Sequence, residues 1–146
     1  MEIVRMSISD VPAVAELERK CFSDPWSERS VAAELENPLS LWLVALLGRT
    51  VVGYVGSQSV MEQADMMNIA VNPDYRRQGI AESLIERLVA ELKDKQVSSL
   101  TLEVRASNAP AIALYRKLGF SQVGKRPNYY RNPREYALIL RKEWDL

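Results

Sequence analysis

The sequence contains no histidine. That absence excludes Ser-His-Asp and Cys-His nucleophile systems, His-ligated zinc and histidine pH switches before any motif is sought. There is one cysteine, Cys21, which can neither close an internal disulfide nor furnish a four-thiolate metal site. A lone thiol fits a reducing compartment, so the expected location is the cytoplasm, and no metal is expected. Without a histidine to take its proton, Cys21 reads as a small apolar residue at a helix end rather than a nucleophile. No apolar run approaches the ~20 residues that cross a bilayer. The longest, Leu41 to Leu47, has the length of a strand, and the first ten residues, with Glu2, Ser7, Ser9 and Asp10, lack the apolar core of a signal peptide. Net charge is missing too, because nineteen Lys and Arg meet nineteen Asp and Glu. That balance removes the long-range field of a dedicated DNA-binding domain. The expectation is a monomer with no direct nucleic-acid binding and no membrane association. Six glycines and seven prolines are too few for a collagenous or low-complexity chain.

What is present is the material of one globular domain. A compact chain of 146 residues hides about 68 to 70 percent of the surface its unfolded form exposes. With 47% apolar and 26% charged residues it has enough core to fold without staples, and one domain over residues 1–146 is expected. Ser9-Asp10 before Val11-Pro12 reads as a helix start, and Val11, Val14, Ala15, Leu17 and Phe22 form one face of a helix from about 10 to 21. Asp24-Pro25-Trp26-Ser27 breaks it. Ser27 caps a second helix through Val31, Ala32 and Leu35, which Asn37-Pro38 stops. Two amphipathic helices are therefore expected to open the chain.

A meander follows. Leu41 to Leu47, the turn Gly48-Arg49 and Thr50 to Val60 read as a hairpin, and Asp65 to Val71 as a third strand ended by Asn72-Pro73-Asp74. Leu84, Ile85, Leu88, Val89 and Leu92 then repeat at helical spacing, with the helix start near Gly79. In Ser99 to Arg105, Leu100, Leu102 and Val104 alternate with Thr101, Glu103 and Arg105, as in a strand with two unlike faces. Strand, helix and strand make a β-α-β unit with parallel strands. Asn108 caps a further helix with Pro110 in its first turn and Gly119 as its stop. Phe120 to Lys125 and Glu135 to Arg141 form a closing strand pair across a polar loop, 126–134. The expected fold class is a mixed α/β (α+β) one: two N-terminal helices, an antiparallel meander, a central β-α-β and a C-terminal helix with an antiparallel strand pair.

Two constellations carry chemistry. The segment from Asn72 to Ala81, Asn-Pro-Asp-Tyr-Arg-Arg-Gln-Gly-Ile-Ala, joins a strand to a helix N-terminus. Unpaired N–H groups and the positive dipole end favour an anion there; Gly79 admits it without a Cβ in the way, and Arg76 and Arg77 add charge. A pyrophosphate fits such a site. It is not a Walker A loop, since no Gly-Lys-Ser/Thr follows, nor a dinucleotide fingerprint, since one glycine stands alone. The plain alternative, a polar turn capping a helix, stays open. The second constellation is Glu103 with Tyr115, one helix apart and both able to reach the C-terminal end of the parallel pair, where α/β sites lie. Without histidine a carboxylate is the natural general base and a phenol a plausible acid. The alternatives are a solvated strand carboxylate and a half-buried helix aromatic. Trp26 in one loop, and Tyr129 and Tyr130 in the late one, are exposed aromatics that either contact substrate or pack onto the core.

The segment 68–81, Asn-Ile-Ala-Val-Asn-Pro-Asp-Tyr-Arg-Arg-Gln-Gly-Ile-Ala, resembles the acetyl-CoA-binding motif of the GNAT acetyltransferases, Arg/Gln-x-x-Gly-x-Gly/Ala, on Arg76, Gly79 and Ala81. The segment 102–120, with Pro25-Trp26-Ser27 and Asn128-Tyr129-Tyr130, is similar to the branch that acetylates the N-terminal alanine of ribosomal proteins. The resemblance covers nearly the whole chain. It implies acetyl-CoA as cosubstrate and a V-shaped slot between splayed parallel strands. It matches Ile69, Ala70 and Val71 to the strand that pairs with the pantetheine arm, and Arg76, Arg77, Gln78, Gly79, Ile80, Ala81 and Glu82 to the pyrophosphate turn. Asn108 matches a further coenzyme contact, Glu103 the general base and Tyr115 the general acid. Ala81 stands where glycine is commoner, Pro110 where alanine is, and the loop 131–134 is short. The implied acceptor is the N-terminal peptide of a ribosomal protein, the alanine of the small subunit's eighteenth. Lysine side chains or a small-molecule amine as acceptors, a non-catalytic acyl-CoA sensor and a plain anion-binding module remain the alternatives.

Overall fold

The computed structural model describes residues 1–146. Seven strands form one sheet: β1 (Glu2–Arg5), β2 (Ser40–Leu47), β3 (Thr50–Val60), β4 (Gln63–Val71), β5 (Ser99–Arg105), β6 (Ser121–Tyr130) and β7 (Glu135–Glu143). Their spatial order is β1-β2-β3-β4-β5-β7-β6, and every pairing is antiparallel except β4 with β5. Four α-helices connect them: α1 (Val11–Cys21), α2 (Glu28–Glu34), α3 (Ile80–Asp94) and α4 (Ala109–Lys117). The expected helices, meander, β-α-β unit and closing strand pair are all present.

Local chemistry accounts for the ends. Ser27 Oγ accepts the Ser30 N–H at 3.0 Å to start α2, and Asn108 Oδ1 accepts the Ala111 N–H at 3.2 Å to start α4. Asp10 does not cap α1. Its carboxylate turns back to accept the Ser7 N–H at 2.9 Å, closing a short 3₁₀ turn ahead of the helix.

Strand alternation sorts the core into two layers. Leu41, Leu43 and Ala45 of β2 join α3 residues Leu84, Ile85, Leu88 and Leu92 on one face. Trp42 and Val44 join Val11, Val14, Leu17 and Val31 of α1 and α2 on the other. Each fully buried leucine of α3 contributes about 1.5–3 kcal/mol, so the layer rather than helix propensity holds α3 in place.

Two expectations need correction. The chain opens with a strand, not with the two helices: β1 pairs with β2 through Glu2↔Leu46, Ile3↔Ala45, Val4↔Val44 and Arg5↔Leu43. Four residues are too short for a periodicity to register, and the partner lies some forty positions away. The polar loop at 126–134 is mostly strand. β6 runs on to Tyr130 and β7 begins at Glu135, so only 131–134 connect them. Polar residues tolerate this strand because it is the sheet edge, and Pro127 sits in the irregular stretch between the Arg126↔Ala137 and Tyr130↔Glu135 pairs.

β4 and β5 determine the position of the slot. They pair at only three positions, Gln63↔Ser99, Ala64↔Leu100 and Asp65↔Thr101. Beyond these, β4 follows β3 through a bulge, with Gly56↔Asn68 and Ser57↔Met66 leaving Met67 unmatched, while β5 follows β7. The strands part, as the resemblance implies, and the slot-side edge of β4 after Asp65 has no strand partner.

Candidate functional site

One wall of the slot is β4 and the turn that leads into α3. After Val71, Asn72 Oδ1 accepts the Asp74 N–H at 3.0 Å and folds Pro73–Tyr75 into a 3₁₀ turn. Arg77 and Gly79 then take left-handed φ values of +65° and +74°. Gly79 is the N-cap of α3, and as a glycine it brings no side chain to cap the first N–H groups. A Cβ placed there would meet nothing within 4 Å. The first-turn amides of α3 thus open onto free space, with Arg76, Arg77 and Gln78 exposed beside them. The arrangement suits a multiply charged phosphate group. Ile69, Ala70 and Val71 lie on the unpartnered edge, and the Ile69 N–H donates to Asn68 Oδ1 at 3.2 Å. Farther on, Ile80 is buried, Ala81 and Glu82 are partly buried, and Glu82 pairs with Lys117 of α4 at 3.0 Å. Asn108 spends its Oδ1 on the cap of α4.

The opposite wall is β5 with the β6–β7 hairpin. Glu103 leaves β5 on the face away from buried Leu102 and Val104, and its Oε1 lies 3.3 Å from Arg126 Nε of β6. Burial pushes its carboxyl above the usual range, the Arg126 guanidinium pulls it back, and Asp65 pushes it up again. Tyr115 of α4 has its ring packed edge-to-face on Phe120, centroids 5.7 Å apart, and is 7% exposed. Burial raises its phenol to about 12, so it holds its proton at neutral pH. Tyr129 and Tyr130 pack perpendicular, 5.0 Å between centroids. Burial is the first cause that raises both phenols, and the Glu103 charge adds to each; Tyr115 adds to Tyr130 as well. Glu103, Tyr115, Tyr129 and Tyr130 therefore share one electrostatic neighbourhood.

The placement corrects the reading of the aromatics. Tyr129 and Tyr130 stand on the end of strand β6 rather than in a loop. Trp26 is half-buried, not exposed, and packs against the core: its ring meets Trp42 edge-on at 5.4 Å, and Trp42 stacks on Tyr54 at 5.8 Å. Trp42 lies over Gly56, where a Cβ would come within 2.2 Å of the indole. The structure groups Trp26 with this aromatic column and Tyr129 and Tyr130 with Glu103.

Several functional candidates escaped the sequence. Arg126 is invisible in it because nothing local ties it to Glu103. Arg105 was on the Glu103 face by alternation, but its role is tertiary. Its guanidinium donates to Arg131 O at 2.8 Å and Pro133 O at 2.9 Å, pairs with Glu135 at 3.3 Å, and lies 4.4 Å over the Tyr130 ring. It thereby ties the hairpin tip to β5. Glu18 carried a legible signal, since a carboxylate four residues after Val14 sits on the apolar stripe of α1. An open cleft of about 670 Å³ lies at the hairpin tip among Asn128, Tyr130, Arg131, Asn132, Pro133 and Arg134.

Comparison with known proteins bears on the family and the fold. Residues 11–120 match the Acetyltransferase (GNAT) family. The chain is 39% identical over 140 residues to the [Ribosomal protein bS18]-alanine N-acetyltransferase of Escherichia coli (strain K12), covering 94% of each. It is 41% identical over 136 residues to a putative enzyme of the same name from Bacillus subtilis (strain 168), covering 92% of this chain and 90% of the relative. The crystal structure of the ribosomal-protein-S18-alanine N-acetyltransferase from Escherichia coli superposes with a TM-score of 0.92 at 37% identity, over 99% of this chain and 94% of that one.

Proposed function

The chain belongs to the Acetyltransferase (GNAT) family, and we propose that it moves the acetyl group of acetyl-CoA to the N-terminal α-amine of a protein, the alanine of ribosomal protein bS18. The observation that carries this reading is the slot itself. An unpartnered β4 edge and an uncapped helix N-terminus lie on one side and the half-buried Glu103 carboxyl on the other, with the buried Tyr115 phenol on the helix that follows β5.

Acetyl-CoA fits the first wall. Its pantetheine amides have the free backbone edge of Ile69, Ala70 and Val71 to pair with, as an added strand does. Its pyrophosphate has the first-turn amides Ile80, Ala81 and Glu82, with Gly79 leaving room and Arg76, Arg77 and Gln78 adjacent. Asn108, whose Oδ1 is engaged, retains its Nδ2 to donate to the coenzyme.

The chemistry needs a neutral amine. A protein α-amine, with a pKa of about 7.7 to 8.0, is roughly a tenth neutral near pH 7, whereas lysine at about 10.4 is neutral to well under a tenth of a percent. Glu103 takes the amine proton directly or through one water, and its raised pKa makes it a better base than a solvated glutamate. The nitrogen attacks the thioester carbonyl, a β4 backbone N–H stabilises the oxyanion, and the C–S bond breaks. The departing thiolate takes the Tyr115 proton, and the proton still on the attacking nitrogen restores the phenol as the amide forms. No covalent enzyme intermediate forms. Trp26, Tyr129 and Tyr130 are assigned to the acceptor side. Residues 1–146 are read as one domain, supported by the single sheet that runs from Glu2 to Glu143, and as a monomer, and a ribosomal acceptor supports a cytoplasmic location.

The protein incubated with acetyl-CoA and a peptide bearing the bS18 N-terminus is expected to yield one acetyl group on the α-nitrogen, located by fragmentation in a mass spectrometer. Faster acetylation of a lysine ε-amine, or of a small-molecule amine, would replace the acceptor; no transfer to any amine would replace the reaction.

A further inference from the structure

Among the fully buried side chains one is a carboxyl. Glu18, in the middle of α1, has no accessible surface. No lysine or arginine pairs with it. It is satisfied instead by three donors from three elements: the Trp26 backbone N–H at 2.8 Å on Oε1, and on Oε2 Asn68 Nδ2 at 2.6 Å and the Tyr54 hydroxyl. Every partner donates to its two oxygens, a set of contacts that packing an apolar stripe does not require. A leucine at this position would continue the stripe of Val11, Val14 and Leu17 without the cost of burying a carboxylate. The carboxylate therefore has a task other than packing.

Its partners show the task. Trp26 belongs to the segment between α1 and α2. Asn68 sits at the β4 bulge, one residue before Ile69, where β4 leaves β5 and the slot begins. Tyr54 backs both from β3 and closes the aromatic column. From this juxtaposition we infer that Glu18 is a positioning residue that ties the Trp26 segment to the β4 bulge and so sets the acceptor side of the slot against the donor strand. It touches no reacting atom. The inference rests on the acyl-transfer reading for its functional consequence.

The test uses three variants of the full chain, with the bS18 peptide as acceptor. Glu18→Gln keeps the volume and turns one accepting oxygen into a donating amide, Asn68→Ala breaks the link at β4, and Tyr54→Phe removes one donor while leaving Trp26 and Asn68 joined through Glu18. In Glu18→Gln the acetyl-CoA dissociation constant stays within about twofold while kcat/KM for the acceptor falls roughly tenfold to a hundredfold, mostly through KM. Amide hydrogen exchange speeds up together in residues 22–27 and 66–71. Asn68→Ala reproduces both effects, and the double variant is no worse than the weaker single one, as for residues acting as a unit. Tyr54→Phe lowers Tm but leaves the acceptor KM in place. The inference is overturned if folded Glu18→Gln keeps acceptor kcat and KM within about twofold of the parent, or if Tyr54→Phe raises the acceptor KM as much as Glu18→Gln does for an equal loss of Tm. Should Glu18→Gln not fold, Asn68→Ala decides alone. Should the parent acetylate no α-amine, the functional reading falls, and coupled exchange of the two segments still decides the link.

Discussion

On the α1–α2 side of the slot, Glu18 gathers three hydrogen bonds with no accessible surface, Trp26 meets Trp42 edge-on and Trp42 stacks on Tyr54. On the β6–β7 side the corresponding contacts are made by Arg126, 57% exposed, and Arg105, 25% exposed, over Tyr129 and Tyr130. The charge is divided in the same way. Residues 105–146 hold nine Lys and Arg against three Asp and Glu, while residues 1–104 hold ten against sixteen, so a chain with no net charge gathers its positive excess in its C-terminal segment. Buried hydrogen bonds and packed rings are insensitive to salt, whereas exposed ion pairs are screened within about 8–10 Å at physiological ionic strength. One wall is fixed by packing; the other is adjusted by charge.

The comparison breaks most sharply at Glu103, which neither wall replaces. Glu103→Gln is expected to lower kcat by about 10²- to 10⁴-fold, the range for a general base, with acetyl-CoA binding intact by calorimetry. A loss under about tenfold would mean that another group takes the proton. Second in size is a paired glycine substitution. Gly56→Ala drives a methyl group into the Trp42 indole, 2.2 Å from where it would sit, and is expected to cost about 1–3 kcal/mol or more and several degrees of Tm. Gly124→Ala, in β6, meets only Ile139 Cδ1 at 3.5 Å and is expected to change stability by less than about 0.5 kcal/mol. Equal thermal shifts from the two would erase the contrast between the walls.

The smallest effect concerns Arg126. Burial raises the Glu103 carboxyl and Arg126 lowers it. Removing the cation in Arg126→Ala leaves burial and Asp65 to act, so the carboxyl rises further. The proposed base works only when ionised, hence the acid limb of kcat/KM is expected to move to higher pH. Because Arg126 is largely exposed, a shift of about one pH unit or less is expected, smaller still at high salt. A limb that stays put, or moves down, would remove Arg126 from the site.

Much of this molecule was legible along the chain. The turn from Asn72 to Gly79 was readable because an Asx turn, a left-handed glycine and a helix start are all written in adjacent residues. β5 was readable because Leu100, Leu102 and Val104 alternate with Thr101, Glu103 and Arg105, so the outward face of Glu103 came with it. β6 was half legible. Its apolar start looked like a strand, but Lys125, Arg126, Pro127 and Asn128 look like a loop wherever no neighbouring strand is known. Trp26 gave the wrong impression for a related reason, since a tryptophan beside Asp24 and Pro25 reads as exposed until Trp42 is found against it.

The sequence by itself determined most of the elements, the polar turn before α3 and the face on which the carboxylate of β5 stands, because strand and helix periods and caps act over fewer than about five residues. Tertiary structure alone decided that β1 closes the far edge of the meander, that Arg126 leans on Glu103 from two strands away, and that Glu18 meets Asn68 fifty positions on. The reason is physical: a side chain's charge state and partners depend on whatever the sheet brings within hydrogen-bond reach, and that proximity is set by packing the two layers, not by spacing along the chain.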